Sequence, residues 1–342
     1  MTDLNLSPEA LPSSHETGKL QIKHLKRFWY ATLLSRSNKL SRQERLQEWQ
    51  TDKTLLSALG LGLEQLMIYL YRENPSFEEF EDWIIATAGT PDQAAVKNFN
   101  NLFSTEKTSA EKQPAPFFTS EEMAFWQDNG YIIVKNAVPK EDCDAAIEVI
   151  CDFLGIKRND PESWYTPNPA RQGIMVQLFQ HPVLQKNRQS AQIRMAYEHL
   201  WQRKDIWLNS DRVGFNPPET SFWKFPGPDL HWDVSLSLPI PFGLQGILYL
   251  ADTEANQGAF TLVPGFHNWG EQWLKSLPGG VNPRRENLHA LGSLPVTANA
   301  GDFIIWHHAL PHGSSPNRST KPRFVQYINM EPADLKENNI WI

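Results

Sequence analysis

His231 and Asp233 flank a single residue, Trp232. Along a strand, residues i and i+2 project from the same face, so an imidazole nitrogen and a carboxylate oxygen reach toward one point. Two ligands of mixed nitrogen and oxygen type suit a divalent first-row metal. A third from elsewhere would complete a facial triad with positions left open for substrate and O2. His-x-Asp alone is a weak sign: the chain has ten histidines, at 15, 24, 181, 199, 231, 267, 289, 307, 308 and 312, and a typical histidine is structural or solvated. A denser signal lies downstream, in Gly301-Asp302-Phe303-Ile304-Ile305-Trp306-His307-His308-Ala309-Leu310-Pro311-His312-Gly313-Ser314-Ser315-Pro316-Asn317. There an apolar strand delivers His307, His308 and His312 just before a Gly/Ser/Pro/Asn turn. On residue types alone, any of the three can supply the third ligand.

His312-Gly313-Ser314-Ser315-Pro316-Asn317, with Arg323 eleven positions after His312, resembles the distal motif of the phytanoyl-CoA dioxygenase family of iron/2-oxoglutarate oxygenases. Phe118 to Val134 looks like that family's opening helix and first strand, and Gln245 to Asp252 like its middle strand. Gly258 to His267 is similar to its Gly-x-Phe-x-x-x-Pro-Gly-Ser-His segment, with Phe266 where Ser is commoner. The resemblance covers about residues 117 to 332.

It implies an α+β protein whose core is a double-stranded β-helix, a cupin-like jelly roll with flanking helices. Iron(II) would be held by His231, Asp233 and His312, with 2-oxoglutarate and O2 as cosubstrates. The implied outcome is hydroxylation of a small molecule, with release of succinate and CO2. Arg323 would hold the distal carboxylate of 2-oxoglutarate, since a guanidinium is a planar, bidentate carboxylate partner. It sits at the start of a strand expected to run beside the one carrying His312. Ser314 would add a hydroxyl to the same carboxylate, Tyr249 would place its ring against the cosubstrate, and Gln245 would hydrogen-bond near the metal. Alternation puts 245, 247 and 249 on one face. His267 is expected to order the Pro264-Gly265 turn. Asp233 argues against the related halogenases, which leave the carboxylate position small for chloride.

Residues 1 to 18 read as a flexible tail. From Leu20 to Phe103 apolar residues recur at three- and four-residue spacing, which predicts an all-helical module (19–103) of four or five helices. It is broken at Asn74-Pro75-Ser76 and at Gly89-Thr90-Pro91-Asp92. Residues 104 to 116, STEKTSAEKQPAP, lack any large apolar side chain and read as a linker to the oxygenase domain, 117–342. Thr119-Ser120-Glu121-Glu122 opens a helix that Gly130 ends, Tyr131 to Val134 reads as a strand, and Lys140 to Leu154 as a helix. From Trp207 onward, short β-rich runs alternate with Gly, Pro and Asn, as in a sandwich or barrel. The aromatics Trp29, Tyr30, Trp49, Tyr69, Tyr71 and Trp83 need cover. The helical module is therefore expected to dock in cis or to mediate a protein contact.

With 342 residues and a net charge of -7, the chain has length for a large core and no overall basic field for nucleic acid or anionic lipid. Cys143 and Cys151 are eight residues apart on one expected helix, about 12 Å, too far to pair. Free thiols and the lack of signal-peptide blocks in Met1 to Gly18 lead to a cytoplasmic expectation, and no apolar run approaches the ~20 residues of a membrane span. The competing reading is a jelly-roll metal- or ligand-binding protein, or a scaffold, without turnover. Substrate identity has no motif behind it.

Overall fold

The computed structural model describes residues 7–104, 114–338 and 340–342. Along the chain run α1 (Leu25–Arg36), α2 (Arg42–Leu46), α3 (Trp49–Leu59), α4 (Leu63–Glu73), α5 (Phe77–Ala88), α6 (Gln93–Asn101), α7 (Ser120–Asn129), β1 (Tyr131–Val134), α8 (Lys140–Leu154), β2 (Arg171–Gln172) and β3 (Met175–Val176). There follow α9 (Pro182–Arg188), α10 (Ala191–Trp201), β4 (Ile206–Leu208), β5 (Val213–Asn216), β6 (Leu244–Tyr249), β7 (Thr261–Leu262), α11 (Phe266–Ser276), β8 (Leu294–Pro295), β9 (Phe303–His307), β10 (His312–Gly313), β11 (Arg323–Tyr327) and β12 (Met330–Pro332). They group into two compact units.

The first unit holds α1 to α6. The breaks read from sequence act as caps: Ser76 forms a reciprocal box with Glu79 at the start of α5, and Asp92 accepts from Ala95 N–H at the start of α6. Leu25, Phe28, Leu34, Leu55, Leu66, Leu70, Phe80, Ile84 and Phe99 form its core. Two expectations change here. Residues 1–6 of the expected tail and 105–113 of the expected linker lie outside the described residues, but Ser7 to Gly18 pack onto the helices. Ser7 N–H donates to the Tyr30 hydroxyl at 2.9 Å, Lys26 pairs with Glu16 at 2.8 Å, and Leu11 joins the core. The unit is also not one stretch of sequence, for it takes in Asp205–Ser210 and Glu331–Leu335. These carry β4 and β12, which pair with each other, and Trp207 of β4 meets Phe99 edge-on at 6.3 Å. Module boundaries of 19–103 and 117–342 therefore do not hold. Composition marks the helices, but not two short segments that pair far from their neighbours in sequence.

Four of the six aromatics expected to need cover, Trp29, Tyr30, Tyr69 and Trp83, pack within this unit, whereas Tyr71 is exposed. Tyr69 and Trp83 stack at 4.3 Å, and Trp29 donates its indole N–H to Pro75 O at 3.0 Å.

The second unit is a double-stranded β-helix. A seven-stranded sheet in the order β1-β9-β6-β11-β5-β3-β2 faces a three-stranded sheet, β10-β7-β8. Ile247, Tyr249, Ile304, Trp306 and Val325 from the large sheet cluster with Phe260, Leu262, Val296 and Leu310 from the other side. The run Phe303 to Trp306 is buried on both faces, because α10 covers the outside. Tyr197 of α10 lies 5.9 Å from Phe303 and donates to Ile328 O. Gly246 fits beneath this pair, since a Cβ there would come within 2.4 Å of the Tyr197 hydroxyl. β11 lies between β6 and β5 in the large sheet, while β10 is in the small one. Arg323 thus does not stand on a strand beside that of His312, as expected; residues 314–322 carry the chain from one sheet to the other. Cys143 and Cys151 are free and buried on α8, their thiols pushed up to about 12, chiefly by burial.

Candidate metal centre

The ligand strand segments meet because two short backbone stretches pair. His231 N–H donates to His312 O at 2.8 Å and His312 N–H to His231 O at 2.9 Å. The contact needs Gly313, where a Cβ would stand 2.5 Å from the Asp229 carbonyl oxygen. Trp232 points the other way, buried against Phe266 and donating its indole N–H to Ala309 O at 2.8 Å. That anchor fixes the alternation which turns His231 and Asp233 toward the site.

The structure brings together His231, Asp233 and His312, with one donor atom from each lying within 4.8 Å of the others. His231 Nε2 lies 3.3 Å from one Asp233 oxygen and His312 Nε2 lies 3.2 Å from the other. Each imidazole turns its Nδ1 to a backbone carbonyl, Asp229 O at 2.7 Å and Leu310 O at 3.0 Å. Neutral rings held in that orientation can present their Nε2 lone pairs to a metal, as ligands must, and without one the same Nε2 atoms hydrogen-bond to the Asp233 carboxylate. Burial pushes Asp233 upward, but hydrogen bonds from His231 and His312 and their charge outweigh it and hold the carboxyl well below the usual range. Burial likewise lowers His231, yet the Asp233 hydrogen bond and charge raise it overall. The three donor atoms thus already converge on one point.

Gln245 donates to Asp233 at 2.7 Å, and its own carbonyl oxygen is buried without a partner. Arg323 is 0% exposed. One of its nitrogens, Nη2, donates to Ser314 Oγ at 2.9 Å, while Nε and Nη1 are buried and unbonded. No carboxylate pairs with it among the described residues. A buried cation with two idle donor nitrogens costs several kcal/mol unless an anion completes it. The donor set fits a planar carboxylate. Tyr249 differs from the expectation in one respect: its hydroxyl accepts from Phe260 N–H and donates to Val296 O, both at 2.8 Å, so only its ring is available to a ligand. Burial pushes that phenol up to about 12.

His307 and His308 stand apart from the triad. His307 Nδ1 accepts from Ala309 N–H at 3.0 Å, and His308 Nε2 meets Pro241 O. His267 does not order the Pro264-Gly265 turn; it reaches Gln127 O at the end of α7. Burial, with the neighbouring His308 and His267, pushes His307 from 6.5 down to about 3. Its folded value lies below its unfolded one, so the unfolded chain takes up the proton first and stability is lost as pH falls from about 6.5 toward 3. Between pH 7 and pH 5 this costs up to about 2 kcal/mol. His307→Asn keeps an acceptor for Ala309 N–H, and its urea midpoint should fall less over that interval than the native protein's. Equal falls would mean that His307 is not the group responsible.

Two residues at the site carry no sequence signal that was used. Tyr327 stands four residues after Arg323 on the same strand face and lies within electrostatic reach of both Arg323 and Asp233. Alternation from Arg323 could have found it. Arg284, from a 3-10 turn at Pro283–Arg285, donates to the carbonyls on both sides of Asp233, and no local pattern announces that. A cavity of about 420 Å³ is lined by Lys140, Arg158, Trp164, Leu250, Lys321 and Phe324. It lies on the outer side of β6 and β11, because Leu250 and Phe324 alternate with the inward Tyr249 and Arg323. Lys140 and Arg158 share Asp144, so most of its charge is met within the protein.

The sequence model for phytanoyl-CoA dioxygenase matches residues 126–325. A putative phytanoyl-CoA dioxygenase of Dictyostelium discoideum is 22% identical over 260 residues, 61% of this chain and 74% of that protein. Among solved structures, a hypothetical protein from Escherichia coli aligns at 19% identity and a TM-score of 0.49, covering 63% of this chain and 69% of that one. The non-heme alpha ketoglutarate dependent epimerase SnoN from nogalamycin biosynthesis aligns at 16% identity and 0.44, covering 62% and 82%.

Proposed function

The chain belongs to the phytanoyl-CoA dioxygenase family, and from that premise we propose that it is a non-haem iron(II)- and 2-oxoglutarate-dependent dioxygenase that hydroxylates a small molecule. The observation that carries this reading is the buried Arg323. Its two unbonded nitrogens stand in the same barrel as a His-Asp-His set, and a metal-binding or scaffold protein without turnover has no use for such a carboxylate clamp.

When bound, the iron with 2-oxoglutarate supplies the oxidising chemistry, in which decarboxylation to succinate is coupled to oxygen transfer. His231, Asp233 and His312 would hold the metal on one face. Gln245 keeps the Asp233 carboxylate turned, through its 2.7 Å bond to one oxygen. Arg323 with Ser314 would take the distal carboxylate of 2-oxoglutarate. Phe260 and Trp306 pack against the His312 ring and keep bulk water from that side. The family name is no ground for a CoA ester as substrate. The acidic balance of the chain favours a small molecule over nucleic acid. No single helix among the described residues is long and apolar enough to cross a membrane.

Purified protein given iron(II), ascorbate, O2 and 2-oxoglutarate should release succinate, slowly alone and faster with a fitting substrate. Absence of succinate across a broad metabolite panel, with iron bound, would return the reading to the non-catalytic alternative.

A further inference from the structure

The segment that carries two of the three ligands is held from behind. Arg284 Nη1 donates to Trp232 O at 2.7 Å and Nη2 to Val234 O at 2.5 Å, the two carbonyls that bracket Asp233. The same guanidinium also donates to Ile342 O, from Nε at 3.1 Å and Nη2 at 2.9 Å. Trp341 lies over it, 4.8 Å from guanidinium carbon to ring centre. Residues 338 and 340–342 run along the chain just beyond the ligands: Ser235 Oγ donates to Ile340 O, Leu236 N–H to Ile342 O at 3.4 Å, and Asn338 Nδ2 to Ser237 O and Pro239 O. Past the His231–His312 bridge the 232–237 segment belongs to no strand, so these contacts supply the order that a sheet would give.

We propose that Arg284, together with Asn338 and residues 340–342, is a positioning element of the metal centre. The guanidinium fixes the 232–233 and 234–235 peptide planes, one immediately before Asp233 and one a residue beyond it, and so presets the direction of its carboxylate. This inference rests on the metal centre proposed above. Coulomb's law alone gives the opposite sign: Arg284 stands within electrostatic reach of Asp233, and a fixed positive charge there repels an incoming dication. Deleting the side chain should tighten metal binding if charge is what matters, and weaken it if position is. Lysine keeps the charge but has one point donor in place of a fork that spans two carbonyls.

Anaerobic titration with Co(II), whose visible bands report coordination geometry, separates the cases in the full-length protein. The native chain should bind one Co(II), and Asp233→Ala should not; failure of that pair removes the metal centre itself. Given that pair, Arg284→Ala should bind Co(II) roughly 10- to 100-fold more weakly, the range found for residues that orient ligands. Its bands should be altered, and its metal-free melting temperature should stay near the native value. Arg284→Lys should recover part of the affinity. Unchanged or tighter binding in Arg284→Ala overturns the proposal, as does a lower metal-free melting temperature with native bands. If Arg284→Ala does not fold, Arg284→Lys decides alone, and native affinity with native bands in that variant overturns the proposal too.

Discussion

His312→Ala is expected to leave a folded protein that no longer retains iron(II), and so are His231→Ala and Asp233→Ala. Each removes one of the donor atoms that lie within 4.8 Å of each other. With two ligands left, and no other His, Cys, Asp or Glu group among the described residues arranged to replace the third, affinity should fall by more than the ~100-fold that loss of an outer partner alone can cause. His307→Ala and His308→Ala are the controls, since their rings are bonded to Ala309 N–H and Pro241 O and not to the carboxylate. Metal content after anaerobic loading and desalting gives the answer. Iron retained by His312→Ala and lost by His308→Ala would overturn the ligand assignment. The Asp233 variant carries a second expectation. Its carboxylate favours the charged form of His231, so removing it takes away a contribution to stability that is present at low pH. Apo Asp233→Ala should therefore be less stable below pH 6 than apo His312→Ala.

Arg323→Ala should separate the cosubstrate from the metal. The residue touches no ligand atom, so iron content should remain native. Affinity for 2-oxoglutarate, read anaerobically from the charge-transfer band of the iron complex, should fall by more than ~30-fold, on the order of 2 to 5 kcal/mol for a desolvated charged pair. Stability should move the other way. In the absence of ligand, Arg323 is a fully buried cation with two unbonded nitrogens. Removing that uncompensated charge offsets the packing lost, so apo Arg323→Ala should melt no lower than apo native protein. The native protein, in turn, should gain stability on adding 2-oxoglutarate with metal, and the variant should not. An unchanged affinity for 2-oxoglutarate would remove the clamp from the mechanism.

The parts of this site that were legible in sequence are those whose geometry is local. His231 and Asp233 face one way because alternation is a property of any extended chain, and Thr119 and Glu122 cap α7 because a capping box needs only four consecutive residues. Choosing His312 over His307 and His308 was not local. It came from resemblance, and the structural reason is Gly313, which lets that one segment press against Asp229. The register of Arg323 was legible, but its sheet was not: nine residues of connection allow either sheet, and jelly-roll topology decides. Arg284 was invisible because its partners are backbone carbonyls, which every residue has. Tyr249 was read for its position, while its hydroxyl is spent joining β6 to the loops of the opposite sheet, a pairing that no spacing encodes.

The interrupted make-up of the helical unit has a consequence for how the protein is born. Its six helices leave the ribosome first, yet β4 lies a hundred residues further on and β12 follows only with the last strand of the chain. At typical synthesis rates the nascent helices wait on the order of tens of seconds for the segment that pairs with β4. During that interval Phe99 lacks the lasting cover of Trp207 in its final place. Full protection of α6 should therefore arrive late, once β4 and β12 are both outside the ribosome, and chains truncated before β12 should be cleaved by protease within α6 more readily than the full chain.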